Sequence, residues 1–196
     1  MNFLVNELKY LIDLGVVSVG RHSYGNARVS YFQDATKLTI GSFTSIASAH
    51  FILGGGHNTE FVSTYPFFCN PQFPSARHPG SPDYPVSKGN IDVGNDVWIA
   101  SDVTVLSGVH IADGSVIGAG SVVAKSTKPY SVNVGVPCRQ VSTRFTSEII
   151  AKLCTLKWWE LDDADISKIS NLLCSRDINS AIDLIANVRK KHMLIL

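Results

Sequence analysis

The chain reads as an all-β repeat, a column of short parallel strands stacked into a β-helix. It also carries a protruding loop, a short N-terminal helix and C-terminal α-helices. Three observations predict this. From Val93 to Lys125 an aliphatic residue returns every sixth position, at Val93, Ile99, Val105, Ile111, Ile117 and Val123, each followed by Gly, Ala or Leu. The same phase holds upstream at Ile40, Ile46 and Ile52, followed by Gly41, Ala47 and Leu53. Between the blocks the stride fails in a segment crowded with proline and aromatic residues. A period of six is neither helical nor a two-fold alternation, so it predicts short strands joined by turns at a fixed stride. No unit can hide its apolar face alone. Stacked coils about 4.8 Å apart pair their backbones and bury the Ile and Val columns together.

Taken in order, residues 1–15 predict a helix, with Leu4, Leu8, Leu11 and Ile12 on one face and Gly15 as its stop. Residues 16–141 form the repeat domain. Strand-like structure begins at Val17–Gly20, and Arg21 to Lys37 breaks phase with the Ile40 block, which predicts irregular coils or a short excursion. Residues 57–90 form the loop, with Pro66, Pro71, Pro74, Pro79, Pro82 and Pro85 beside Phe61, Tyr65, Phe67, Phe68 and Phe73. So many aromatics argue for packing over disorder. Residues 142–196 predict helices: Ser147 to Trp158 behind a Thr146 cap, a second from Leu161 to Cys174, and a third capped by Asp177 and running to Lys191.

The 17 basic and 16 acidic residues leave no global field for nucleic acid or an anionic membrane. Cys69, Cys138, Cys154 and Cys174 show no CxxC pairing and no histidine at zinc-ligand spacing, which predicts free thiols, no metal and a reduced, cytoplasmic setting. Asn6, Glu7, Lys9 and Asp13 interrupt the first apolar positions, so no secretion signal and no membrane span is expected.

Gly54-Gly-Gly-His57 ahead of the Pro- and Phe-rich loop, Val97-Trp-Ile-Ala-Ser101, Ile117-Gly-Ala-Gly-Ser-Val-Val123 and Gly135-Val-Pro-Cys-Arg139 together resemble the hexapeptide-repeat, left-handed β-helix acyltransferases. Ser63-Thr-Tyr-Pro-Phe-Phe68 and the tail from Lys157-Trp-Trp159 to Leu172-Leu-Cys-Ser175 are similar to the xenobiotic acetyltransferase branch, which acetylates chloramphenicol or streptogramins. The exit motif Gly135 to Arg139 is similar to the maltose and galactoside acetyltransferases. The resemblance implies a left-handed coil and a homotrimer with active sites between subunits. It also implies acetyl-CoA as co-substrate and transfer to a hydroxyl of a sugar or surface-polysaccharide precursor, or of an antibiotic. Two departures mark this chain. The usual acidic and aromatic excursion near Tyr24 to Lys37 is shortened, and Ala124 stands where many relatives place Thr.

Acetyl transfer to a hydroxyl needs a base as the oxygen attacks, and imidazole titrates near working pH. The resemblance assigns that role to His57. Gly54 to Gly56 suit it, because they permit unusual backbone angles and close ligand approach. Glu60, three residues on, is a candidate to orient the ring. Direct transfer in a ternary complex needs no Ser or Cys nucleophile. For CoA, a flat wall of small residues lets the pantetheine arm lie against strand backbone. Ser101 and Ala119 match arm-contacting positions, Ala124 lies near the phosphate or adenine end, and Arg139 matches the nucleotide-end cation. Lys125 and Arg144 could add charge against phosphates, and Trp98 is expected to line the cleft. Tyr24, Phe67 and Phe68 match acceptor-pocket aromatics. His50 and His110 read as wall residues, His22 and His192 as surface, and His78 falls within the loop. Two other classes remain open. A carbonic-anhydrase-like metal enzyme needs a histidine pair five apart in one coil, which is absent here, and a non-catalytic trimeric scaffold would make His57 and Arg139 dispensable.

Overall fold

The computed structural model describes residues 3–32, 35–73 and 87–193. The centre of the expected loop, with His78, Pro74, Pro79, Pro82 and Pro85, lies outside the described residues, as do residues 194–196 and the side chain of His192. Helix α1 (Phe3–Asp13) leads into twelve strands: β1 Val17–Val19, β2 Tyr24–Ser30, β3 Leu38–Ile40, β4 Ser45–Ile52, β5 Ile91–Val93, β6 Trp98–Ile99, β7 Val103–Leu106, β8 His110–Ile111, β9 Val116–Ile117, β10 Val122–Val123, β11 Ser131–Val134 and β12 Arg139–Thr143. Helices α2 Ser147–Leu156, α3 Asp163–Leu173 and α4 Ile178–Met193 follow.

The strands stack as parallel coils with three faces. Val93 pairs with Ile111, Ile99 with Ile117 and Val105 with Val123, each eighteen positions on, so one coil is three six-residue units. The first face is β1-β3-β5-β8. The second runs from the start of β4 through β6 and β9 to β11, and the third joins β2 and the end of β4 to β7 and β10. Ile40, Val93 and Ile111, then Ile46, Ile99 and Ile117, then Phe51, Val105 and Val123 fill the interior at 0–2% exposure. Each such side chain contributes about 1.5–3 kcal/mol by leaving water. Leu4 and Leu8 of α1 close one end of this core.

Two local expectations are corrected. Ile52 does not point inward; Phe51 takes the column position, pairing with Val105, while Ile52 pairs with Leu106 on the outer side. The reason is a shorter corner in the second coil. Ser45 and Ile46 pair with Trp98 and Ile99, whereas Ala49 onward pairs one residue later, and the extra residue of the third coil turns at Asp102 with φ +58°. A one-residue slip exchanges inside for outside. Likewise Tyr24–Ser30 is a seven-residue strand with one register shift rather than an irregular coil. In the tail, α2 stops at Leu156 because Lys157 adopts the left-handed conformation, and Trp158–Glu160 is a 3-10 turn. Asp162 caps α3 through the Asp165 amide, and Asp177 accepts from the Ser180 amide at the start of α4.

The three edges of the prism differ, and this positions the site. The edge between the first and second faces turns through left-handed residues at His22, Phe43, Asp96, Gly114 and Tyr130, with φ between 53° and 69°. The C-terminal helices cover it. His22 packs at a tilt against Phe43 and Phe43 against Trp158, each with centroids 4.8 Å apart, and Arg21 meets Asp163 and the carbonyls of Trp159 and Leu161. The edge between the second and third faces carries small exposed residues, Ser101, Ala119 and Gly120. At the edge after the third face the chain leaves the coil, beyond Leu53.

Candidate active site

At this last edge a cleft of about 640 Å³ is lined by Ile52, Gly54 to Glu60, Lys88, Leu106, Ser107 and Ala124. The outward-turned Ile52 thus serves the cleft, stacked on Leu106, with Ala124 one coil further on. Gly55 sits at φ +81°, and a Cβ there would lie 2.4 Å from Cζ of Phe32, so the aromatic ring closes directly over the glycine backbone. Gly55→Ala is therefore expected to cost about 1–3 kcal/mol from overpacking and left-handed strain. Thermal denaturation should show that loss together with a lower kcat, because the chain that carries His57 is displaced.

His57 is exposed at the cleft, and its Nδ1 lies 2.7 Å from the carbonyl oxygen of Thr64. A carbonyl only accepts, so Nδ1 carries a proton, and in the neutral ring Nε2 carries the lone pair. That arrangement presents Nε2 as a base and stabilises the imidazolium that forms after proton uptake. The Thr64 carbonyl accepts from Nδ1, and the Glu60 amide donates to Asn58 Oδ1. Glu60 remains a wall residue of the cleft.

The other expected site residues are spread over several places. Ala124 and Lys125 are exposed at the His57 edge. Ser101 and Ala119 stand eighteen residues apart at the next edge, and Trp98 and Tyr24, 55% and 60% exposed, lie on the adjoining second face in line through Ser45. Phe67 and Phe68 lie in a 3-10 turn of the excursion, where Phe67 packs against Tyr65 and Phe73 at 4.7 and 5.0 Å. Arg139 is exposed at the start of β12, with Nη1 on the neighbouring Cys138 carbonyl. Neither Lys125 nor Arg139 has a carboxylate partner among the described residues. Arg144 has partners within the chain. Its guanidinium donates to Asp96 Oδ2 at 3.0 Å and to the Gly114 carbonyl at 2.9 Å, and lies over the rings of Tyr130 and Phe145, so it joins the helical tail to the prism. Burial holds the Asp96 carboxyl above its usual range, opposed by Arg144.

Sequence reasoning missed a pair at the far end of the third face. Ser30 Oγ and His50 Nε2 are 2.8 Å apart. They are twenty positions apart and meet only through the lateral register of β2 and β4. Burial, with Arg28 nearby, pushes the His50 pKa below its ordinary 6.5. A group depressed on folding binds fewer protons native than unfolded, so its contribution is complete above pH 6.5 and is lost as pH falls through the folded value. Melting temperature should therefore fall on acidification below pH 6.5, and His50→Gln should flatten that part of the profile. Among the described residues no group of three or more His, Cys, Asp or Glu could hold a metal ion, and no helix is long and apolar enough to cross a membrane.

Residues 90–125 match the family model for the bacterial transferase hexapeptide (six repeats). A chloramphenicol acetyltransferase of Klebsiella aerogenes is 40% identical over 151 residues, covering 74% of this chain and 70% of that protein. A virginiamycin A acetyltransferase of Staphylococcus aureus is 37% identical over 185 residues, covering 89% and 82%. The chain belongs to the hexapeptide-repeat acetyltransferases. Relatives of both kinds bear out the likeness to the xenobiotic branch that the motifs carry. Among solved structures, a hexapeptide-repeat acetyltransferase of Vibrio cholerae complexed with acetyl coenzyme A is similar in fold. Its TM-score is 0.50 at 23% identity, over 67% of this chain and 62% of that one, just under two thirds of its length. That likeness places this hexapeptide-repeat acetyltransferase among stacked-coil proteins and speaks to the fold alone.

Proposed function

We propose that the chain is a left-handed β-helix O-acetyltransferase that moves an acetyl group from acetyl-CoA to a hydroxyl of a saccharide or surface-polysaccharide precursor. The observation that carries this reading is the Nδ1 bond from His57 to the Thr64 carbonyl, which fixes the tautomer a base requires. His57 Nε2 takes the proton of the acceptor hydroxyl as that oxygen attacks the acetyl carbonyl. His57 then returns the proton to the departing sulfur, so the base is regenerated and no covalent enzyme intermediate is needed. Acetyl-CoA supplies the activated thioester. The chain's residues suit it: Ser101 and Ala119 give an exposed edge of small side chains, Gly120 has open space beside it, and Lys125 and Arg139, exposed and without a carboxylate partner among the described residues, offer cations to phosphates.

A second copy completes the site in this reading. Ser101 and Ser107 mark opposite edges of the third face, about 20 Å of extended chain apart, so an arm lying along one edge meets only one of them. A homotrimer in which one protomer's His57 edge faces its neighbour's Ser101 edge brings base and cofactor wall together, with Trp98 and Tyr24 from the neighbour and Phe67 and Phe68 from the loop around the acceptor. All four cysteines are free thiols, which suits the cytoplasm. The names of the curated relatives favour one alternative acceptor class, chloramphenicol or a streptogramin. Release of free CoA over a panel of sugars, nucleotide sugars, chloramphenicol and streptogramin A tests the reading. Acceptor-dependent release is expected with a sugar; release only with an antibiotic would move the acceptor to the alternative, and no release with any acceptor would refute acetyl transfer.

A further inference from the structure

The cleft has two unlike ends along the prism axis. Ile52, Leu106 and Ala124 form an outward column on its wall, and Ala124 leads to Lys125, the end proposed for the cofactor. In the other direction the column continues by one coil to Ser30, which pairs with Ile52. There the wall becomes polar. Ser30 Oγ meets His50 Nε2 at 2.8 Å, the ring of Phe32 closes over Gly55 beside them, and Arg28 lies on the same side of β2 two residues before Ser30, opposite His50 in register. Alternate residues of a strand share a face, so Arg28 and Ser30 stand about 7 Å apart along it.

Arg28 is exposed and makes no ion pair or hydrogen bond with any described carboxylate. Glu7, which lines the adjoining groove with Arg28, accepts from the Ala27 amide. On the cleft wall Glu60 and Lys88 oppose each other in charge, and Arg28, in that adjoining groove, adds a cation beyond the Ile52 end. His50, kept neutral by burial and by that cation, leaves the Ser–His pair able either to donate to or accept from a sugar hydroxyl.

We infer that Ser30, His50 and Arg28 form the acceptor-end station of the cleft, which selects an acceptor bearing a negatively charged group beside its hydroxyls, a sugar acid or sugar phosphate. The inference rests on the acetyl-transfer reading above and names its substrate class. Arg28 is suited to bind carboxylate or phosphate oxygens bidentately, and Ser30 with His50 orients a neighbouring hydroxyl.

The test compares acetyl transfer by the full chain to methyl glucoside, glucuronate and glucose 6-phosphate. The charged acceptors should show kcat/KM at least about tenfold higher than the neutral one, the scale of one charge-assisted hydrogen bond. Arg28→Gln should raise KM about tenfold for the charged acceptors and much less for the neutral one, with KM for acetyl-CoA unchanged, and Arg28→Lys should restore part of the preference. Ser30→Ala should raise KM for all three acceptors. Transfer that ignores acceptor charge, or a preference that survives Arg28→Gln, overturns this inference while leaving acetyl transfer standing. Absence of transfer to every acceptor, antibiotics included, overturns both.

Discussion

His57→Ala is expected to lower kcat for acetyl transfer by a factor on the order of 10² to 10⁴, the usual contribution of a positioned general base, with little change in KM for acetyl-CoA. The exposed imidazole touches the Thr64 carbonyl through Nδ1, so its removal should leave the core intact and the melting temperature close to that of the wild type. His57→Asn separates positioning from proton transfer. It can still donate toward the Thr64 carbonyl but offers no basic nitrogen, so the account expects it to be as slow as the alanine variant. Steady-state CoA release at saturating acetyl-CoA measures both variants. A variant with undiminished kcat would show that another group takes the proton.

The second large effect concerns stability. Arg144→Met should cost about 2–3 kcal/mol, discounted from the 3–5 kcal/mol typical of a broken buried pair because the Arg144 and Asp96 side chains are 31% and 26% exposed. The cost arises because Asp96 is left desolvated without its counter-charge and the Gly114 carbonyl loses its donor. The pH dependence has a definite sign. Asp96 already titrates above its ordinary 3.8 through burial, so its favourable contribution is present below pH 3.8 and is lost as pH rises through the folded value. Removing Arg144 raises that value further. The deficit of Arg144→Met should therefore be largest near neutral pH and shrink in acid, and adding Asp96→Asn should recover part of it. Chemical denaturation at several pH values measures this. KM for acetyl-CoA should stay unchanged, because Arg144 serves the helix-to-prism junction; a rise in that KM would return it to the cofactor site.

These residues illustrate what a linear reading can reach. The six-residue unit was legible because one aliphatic phase runs through every face, whereas the eighteen-residue coil needed the strand register; Gly54 to His57 was legible because three glycines mark the point where the chain leaves the coil. The exchange of Ile52 for Phe51 was not, since it depends on a corner one residue shorter than the one stacked on it. Arg144 looked like a free cation because Asp96 lies 48 positions away and meets it only across the folded edge. Thr64 orients His57 through a main-chain atom, which side-chain identity cannot signal. Ser30 and His50 needed the register of β2 against β4.

In the proposed site, base and cofactor wall belong to different copies of the chain. Co-assembly of two inactive variants, His57→Ala and Ser101→Trp, tests it most directly. Each variant alone should transfer almost no acetyl group. A mixed assembly should recover activity, because some sites then combine an intact His57 edge with an intact Ser101 edge. No recovery in mixed assemblies that are verified to form, or full activity in either variant alone, would contradict a site shared between subunits.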